Sequence, residues 1–260
     1  RRSSPARKVE AKQTEVRIIC DLEELEQLVQ QCISARQYGL AVHATEADAH
    51  RAHIVGFGIS AEDHSGAYIP VGHRYLGAPR QLPLDRVLDT LDPILGGGQA
   101  AAIGHDIKRT LVLLGRYDRS IDRIACDPML AAYLIDPARS DYSFATICTE
   151  LLSYSPDTIG ALTGSGRRAT PMDEVAVEGA ASVFSQQADL SRILARTVKP
   201  ALDSGTLRSL HDELEIPLSR VLASVEQTGT PVQRSILAAI SVGWDEEIQR
   251  LEQTSHKLAG

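Results

Sequence analysis

The chain has 260 residues, of which 43% are hydrophobic, and its formal net charge at pH 7 is −7. This length and composition can fill the core of one large domain, or of one domain with an appendage. The negative charge argues against an overall basic surface for nucleic acid, although a local positive groove can lie on an acidic protein.

Cysteine spacing and apolar runs indicate the cellular compartment. The four cysteines show neither a C-x-x-C pair nor a Cys/His pair at the spacing of metal ligands, so we expect reduced core thiols in a cytoplasmic protein. No stretch approaches the ~20 apolar residues that cross a bilayer, and the Arg-Arg-Ser-Ser start lacks the apolar run of a signal peptide. The cysteines are Cys20, Cys32, Cys126 and Cys148.

The first third of the chain predicts a linker followed by a sheet. Residues 1–14 are polar and charged, and we expect them to be a linker without a packing face. Residues 16–20 predict a strand, after which Asp21 caps a helix with an apolar stripe of period 3.6. Three short apolar segments separated by polar loops then predict an antiparallel meander, at residues 40–45, 54–60 and 67–71.

The middle of the chain alternates between helices and strands. Helices are predicted at 84–91, 106–114 and 129–135, with strands at 100–104 and 123–126. Asp106 and Asp127 precede two of these helices and are interpreted as N-caps. A meander followed by strand-helix units predicts an α/β fold, with a mixed sheet flanked by helices.

The C-terminal part is predicted to be helical. Residues 153–171 are rich in Ser, Thr, Gly and Pro and predict a long surface loop, after which helices cover 172–201. Residues 207–260 are helical with an interruption at 229–231, and the last helix is amphipathic. This end has no sheet of its own to pack against, so we expect it to belong to a further domain.

Five short stretches occur along the chain in the order of one known family. They are Ile54-Val55-Gly56, residues 67–79 (AYIPVGHRYLGAP), Gly104-His105-Asp106-Ile107-Lys108, residues 127–134 (DPMLAAYL) and Glu215-Ile216-Pro217-Leu218. Together they resemble the 3′-5′ exonuclease domain of bacterial DNA polymerase I. The resemblance covers residues 15 to 260 and implies a ribonuclease H-like fold for 15–206. For 207–260 it implies the first helices of the polymerase thumb, ending where the thumb meets the palm.

The resemblance implies a chemistry that depends on carboxylates. The family removes a mispaired 3′ nucleotide with two divalent metal ions held by acidic side chains. Its first metal ligands are an Asp-x-Glu pair on the first core strand, where both side chains point to one face. In one register this pair falls on His43 and Thr45, and in the other on Ala44 and Glu46. The aspartate is replaced in both registers.

The other metal positions have also lost their carboxylates. The family's second site is an aspartate two residues after the lysine of the Gly-polar-polar-apolar-Lys string, and Thr110 stands there. The third is a Tyr-x-x-x-Asp pattern on a late helix, which becomes Val183 and Gln187. Because Mg²⁺ prefers oxygen ligands and at most one carboxylate remains, we predict no catalytic residue and no metal site in this chain.

Each remaining candidate also has an ordinary structural interpretation. His43 is a possible substitute metal ligand, but a core or edge histidine is the favoured interpretation. A polar loop is favoured for Glu46 and Asp48 over a displaced carboxylate pair. Four basic residues are candidate DNA contacts or, equally, solvated charges of a helix and a loop, and these are Lys108, Arg109, Arg167 and Arg168.

The leading hypothesis is a structural, non-catalytic domain that supports its parent polymerase. The resemblance implies that the parent is a monomeric family-A DNA polymerase of repair and replication, which uses deoxynucleotides, template-primer DNA and Mg²⁺ and in which this domain contacts palm and thumb. One alternative is an active exonuclease with rearranged ligands at Glu46, Asp48 and Asp106. Another is a single-strand DNA-binding module, for which three Phe and one Trp offer few stacking surfaces.

Overall fold

The computed structural model describes residues 13–164, 166 and 169–260, and it divides them into two units that meet after Gln227. The described strands are β1 (Glu15–Ile18), β2 (Gln37–Ala44), β3 (Ile54–Ser60), β4 (Ser65–Pro70), β5 (Ala101–Ile103) and β6 (Ile124–Cys126). The described helices are α1 (Leu22–Ala35), α2 (Leu84–Leu91), α3 (Ile107–Gly115), α4 (Pro128–Ile135), α5 (Phe144–Leu152), α6 (Ile159–Thr163), α7 (Val177–Leu202), α8 (Leu207–Ser209), α9 (Ile216–Thr228) and α10 (Arg234–Ala259).

All six strands form one mixed sheet in the order β1-β4-β3-β2-β5-β6. The predicted meander is confirmed, because β2, β3 and β4 pair antiparallel in succession. The strands β5 and β6 continue the sheet in parallel beyond β2, and β1 pairs in parallel with β4 at the opposite edge. This is the mixed sheet with flanking helices that the residue patterns predict.

One face of the sheet carries the main core under α1, α2 and α3. The predicted stripe of α1 is buried there, and the Asp21 carboxylate accepts hydrogen bonds from the first-turn amides of Glu23 and Glu24 at 2.8 and 3.3 Å. Side chains of β2 that point to this face include Leu40, Val42 and Ala44. Alternation along β2 therefore sends residues 39, 41 and 43 to the other face.

The other face of the sheet lies against α7 at unusually close range. A Cβ on Gly39, Gly58 or Gly66 would lie 2.0, 2.1 and 2.7 Å from a carbonyl oxygen of α7. These glycines belong to the adjacent strands β2, β3 and β4, so the backbone of α7 lies directly on three strands. Glycine is the residue that permits such an approach because it has no Cβ.

The structure corrects several sequence predictions. The segment 153–171 contains the short helix α6, and α5 precedes it where no helix was predicted. Residues 1–12 of the predicted linker lie outside the described residues, and its last residue, Thr14, is buried and donates a hydrogen bond to Asp189 at 2.8 Å. Among the free cysteines, Cys20 is only partly buried, whereas the other three are core residues as expected.

Within the described helices, none has the length and apolar run needed to cross a membrane.

The helices after α7 divide between the two units. A π-helical segment, Leu210–Glu215, joins α8 to α9, and this stretch belongs to the first unit up to Gln227. The predicted interruption at 229–231 is confirmed, since α9 ends at Thr228 and α10 begins at Arg234. The second unit consists of residues 228–260, and its apolar side chains, such as Trp244 at 70%, are exposed. The predicted domain boundaries at 14/15 and 206/207 stay predictions.

Candidate functional site

The first candidate position lies near the end of β2, on the face that α7 covers. His43 is fully buried and stacks on Phe184 of α7, with ring centroids 4.4 Å apart and planes inclined by 18°. The next residue, Ala44, lies in the core on the opposite face. Of the two residues, only His43 therefore faces the helix that carries the third candidate position.

A chain of hydrogen bonds runs from His43 through Tyr68 to His73. The Tyr68 hydroxyl lies 2.8 Å from Nδ1 of His43 and 2.8 Å from Nε2 of His73, while Nδ1 of His73 lies 2.8 Å from the Val175 carbonyl oxygen. Gly56 leaves the space for this hydroxyl, because a Cβ there would lie 2.1 Å from it. The three side chains that these hydrogen bonds connect are all buried.

The acceptor at the end of this chain fixes the tautomers of the two neutral imidazoles. A carbonyl oxygen only accepts, so Nδ1 of His73 carries the proton and its Nε2 accepts from the Tyr68 hydroxyl. The Tyr68 oxygen then accepts from Nδ1 of His43, which places the lone pair of this imidazole on Nε2. Burial lowers the pKa of His43 to about 3, and His73 adds to the lowering, so His43 is neutral.

Thr45 and Glu46 lie in the loop that follows β2. A register irregularity separates His43 from Ala44, and Thr45 then exchanges two hydrogen bonds of 2.9 Å with the backbone of His53. Glu46 is exposed, and its carbonyl oxygen accepts from the Arg109 guanidinium at 2.8 Å. The hydrogen bonds between Thr45 and His53 thus join the two ends of this loop, and Arg109 holds its start.

The second candidate position, Thr110, is buried in α3 at 7% exposure. Asp106 caps this helix by accepting from the Arg109 amide at 3.4 Å, as predicted. Lys108 forms an ion pair with Glu226 of α9. These contacts give Lys108 and Arg109 structural roles and leave their predicted DNA contacts untested, while Arg167 and Arg168 lie outside the described residues.

The buried carboxylate Asp127 joins the starts of two helices. It accepts from the Met129 amide at 2.8 Å, as the predicted cap of α4, and from the Ile107 amide of α3 at 2.8 Å. Burial raises the pKa of Asp127 to about 7, against the opposing effect of these donors. The carboxylate is therefore committed to backbone amides and is not an open metal ligand.

The third candidate pair lies on α7, where Val183 is buried and Gln187 is half-buried. Two residues beyond Gln187, the fully buried Asp189 accepts from Thr14 at 2.8 Å and from the His64 amide at 2.9 Å. No local pattern in the sequence marks Asp189 as a buried residue. Burial raises the pKa of its carboxyl, and the two donors oppose that shift.

The donor set does not fit a pair of divalent metal ions. Apart from Glu46 in the second register, the positions that the family fills with carboxylates carry imidazole, hydroxyl, methyl and amide groups, which leave the charge of two such ions uncompensated. Among the described residues, no three His, Cys, Asp or Glu side chains converge as metal ligands. Asp48 accepts from the His50 amide at 3.0 Å, and Asp106 caps α3, so each has a separate local role.

The family model and the curated relatives that match this chain all belong to DNA polymerase I. Residues 40–178 match the model of the family described as DNA polymerase I, ribonuclease H-like domain. The chain is 28% identical over 219 residues to DNA polymerase I of Pseudomonas aeruginosa, with 83% of this chain and 24% of that protein covered. It is 30% identical over 249 residues to DNA polymerase I of Rhizobium leguminosarum, with 87% and 24% covered. The chain thus spans about a quarter of these relatives.

Solved structures show the same fold. The POL domain of Pol1 from M. smegmatis, in complex with DNA primer-template and dNTP, superposes with a TM-score of 0.71 at 19% identity, covering 90% of this chain and 36% of that one. Brucella melitensis NrnC bound to pGG superposes with a TM-score of 0.60 at 14% identity, covering 84% and 95%. At these identities the likeness concerns the fold alone.

Proposed function

Because the chain belongs to the family of the ribonuclease H-like domain of DNA polymerase I, we propose that it is the exonuclease-like region of such a polymerase, without exonuclease activity and with a structural role. The proposal rests on one observation above all. The strand position that faces α7, where the family places its first aspartate, holds His43 as a neutral, buried link in a hydrogen-bond chain.

The geometry of β2 supports the register that assigns His43 and Thr45 to the first carboxylate pair. An Asp-x-Glu pair must face the helix that supplies the third carboxylate, and His43 lies against Phe184 of that helix. The alternative register would place the aspartate at Ala44, in the core on the opposite face. In the register of His43 and Thr45, Glu46 is not a ligand and none of the four family carboxylates remains.

The domain's own residues then serve as a scaffold. His43, Tyr68 and Phe184 fill the former cleft between sheet and helix, and their contacts join β2, β4 and α7. A filled and neutral cleft stabilises the fold but offers neither a general base nor a ligand for a metal ion. The scaffold role is to hold the following helices in place for the rest of the polymerase.

The activity of the whole polymerase is part of this proposal. We assign to the parent DNA-directed DNA synthesis in repair and replication, as a cytoplasmic monomer that acts on template-primer DNA with deoxynucleotides and Mg²⁺. This chain covers about a quarter of its curated relatives, and the family's polymerase motifs do not occur in it. We therefore expect no DNA synthesis by these 260 residues alone.

A degradation assay tests the loss of exonuclease activity. The chain is incubated with a 5′-labelled single-stranded oligonucleotide and Mg²⁺ or Mn²⁺, and the expected result is no shortening from the 3′ end. Glu46→Ala is the diagnostic variant and Glu62→Ala, which removes another exposed carboxylate, is its matched control. Metal-dependent shortening that Glu46→Ala abolishes and Glu62→Ala preserves would show an active nuclease with rearranged ligands and overturn the proposal.

A further inference from the structure

A cleft of about 340 Å³ lies in the first unit, where α7 and α8 approach β5 and β6. The apolar residues that line it, here called its floor, are Ile103, Ala125, Cys126 and Ala195. Burial raises the pKa of the Cys126 thiol to about 12, so this side chain is a neutral part of the floor. The volume is at the lower end of the range of small-molecule sites, which is roughly 300 to 1,000 Å³.

Positive side chains surround this floor. Arg192, Arg196 and Lys199 follow one another at spacings of four and three residues, so they share one face of α7, and Arg208 of α8 completes the group. Of the described residues that line the cleft, these four are cationic and one, Asp212, is anionic. The lining thus has an excess of positive charge on an acidic chain.

Three carboxylates, Asp63, Asp203 and Asp212, form ion pairs with these four cations, so the described ion pairs leave one net positive charge. Asp63 is shared between Arg192 at 3.2 Å and Arg196 at 2.6 Å. In the same way, Asp203 is shared between Lys199 at 2.5 Å and Arg208 at 2.8 Å. A guanidinium has five N–H donors, so each arginine retains donors for a further acceptor.

Arg192 is the most buried of these four cations. Its side chain is only 14% exposed, and burial is the main cause that lowers its pKa. Its charge is therefore partly desolvated, while the carboxylate that pairs with it also holds Arg196. An anion in the cleft would add an acceptor for this partly desolvated guanidinium.

The cleft is separate from the candidate site at His43. Gln37, at the start of β2, lines the cleft, whereas His43 lies six residues further along the same strand. At the rise of a β-strand this separation is about 20 Å. A ligand in the cleft would not reach the stacked His43 and Phe184.

We propose that this cleft binds a phosphate-bearing ligand of nucleotide size. The phosphate is held by the guanidinium groups of Arg192, Arg196 and Arg208 together with Lys199, and the flat apolar part lies on the floor around Ala195. A free nucleotide and the 5′-terminal nucleotide of a DNA strand share this chemistry. The inference does not depend on the loss of exonuclease activity.

Calorimetry on the full chain tests the proposal with deoxyadenosine 5′-monophosphate, deoxyadenosine and inorganic phosphate as probes. We expect the monophosphate to bind at least tenfold more tightly than either of the other two. The double variant Arg196→Gln, Lys199→Gln is expected to weaken its binding at least tenfold. The control, Arg80→Gln with Arg116→Gln, removes the same charge from exposed arginines outside the cleft and is expected to change binding less than twofold.

A neutral variant separates the cleft from general charge attraction. Ala195→Leu adds volume to the floor without changing charge, and we expect it also to weaken monophosphate binding at least tenfold. The proposal would be overturned if both double variants weakened monophosphate binding equally, or if Ala195→Leu left that binding unchanged. It would also be overturned if inorganic phosphate bound as tightly as the monophosphate. A 5′-phosphorylated oligonucleotide that binds more tightly than the free nucleotide, with the same sensitivity to the variants, would identify a DNA end as the ligand.

Discussion

Gly39 of β2 lies directly beneath Ala188 of α7, so close that a Cβ on residue 39 would lie 2.0 Å from the Ala188 carbonyl oxygen. The same relationship recurs between Gly58 and Phe184 at 2.1 Å. The helix is thus held at backbone contact with the sheet, and this contact brings the Phe184 ring onto His43. The filled site depends on glycines in the strands beneath the helix.

We expect Gly58→Ala to destabilise the protein by ~1–3 kcal/mol or more, because the new methyl group must displace the backbone of α7. Urea denaturation followed by circular dichroism measures the change in the free energy of unfolding. Gly160→Ala is the control, since a Cβ at that position of α6 meets nothing within 4 Å. Equal stability of the two variants would contradict the close contact.

The Tyr68 hydroxyl is expected to contribute to stability through both histidines. Tyr68→Phe leaves Nδ1 of His43 and Nε2 of His73 buried without their partner, which costs ~1–3 kcal/mol. Tyr133→Phe removes the hydroxyl of a side chain that is 45% exposed and is expected to cost little. Denaturation of both variants checks the difference, and a Tyr68→Phe protein as stable as the unchanged chain would contradict the hydrogen-bond chain.

Features that depend on neighbouring residues could be predicted from the sequence. The caps Asp21, Asp106 and Asp127 were predicted from their places before apolar helical stripes, and each accepts an amide of its own helix. The meander followed from alternating apolar segments and polar loops. In each case the signal lies within a few residues of the element it determines.

Features that join distant parts of the chain could not be predicted. The hydrogen bond from Thr14 to Asp189 links residues 175 positions apart, and the contact of His73 with Val175 spans 102. The face of the sheet to which His43 points could not be predicted either, because a shift by one residue reverses every side chain of a strand. Only the position of α7 on the sheet distinguishes the face of His43 from that of Ala44.

The buried carboxyl of Asp127 is expected to make stability depend on pH. Its pKa is about 7 in the folded chain, compared with an ordinary value of 3.8. Between these values the unfolded chain has released the proton and the folded chain still holds it. The contribution of this group to the free energy of unfolding is therefore complete below about pH 4, falls as pH rises to about 7, and is constant above that.

Asp127→Asn isolates this contribution. The variant cannot ionise, and its amide nitrogen faces the Ile107 amide, so we expect it to be less stable than the unchanged chain. The deficit should be larger at pH 5 than at pH 8, because only the unchanged chain loses stability over that interval. Chemical denaturation at several pH values measures it. A deficit that stays constant from pH 5 to pH 8 would contradict the raised pKa.

The stretch from α8 to α9 is expected to be part of the folded first unit. Ile216 and Ala223 are buried, and the side-chain amide of Gln227 donates to the Leu111 carbonyl oxygen at 3.2 Å. Gly115 leaves room for this side chain, because it has no Cβ. A chain that ends at Gln227 keeps these contacts, whereas one that ends at Thr206 loses them. We expect the shorter chain to be less stable by at least ~2 kcal/mol, which is the scale of burying one isoleucine. Thermal unfolding of the two chains measures this difference, and equal stability would show that α9 contributes nothing to the core of the exonuclease-like unit.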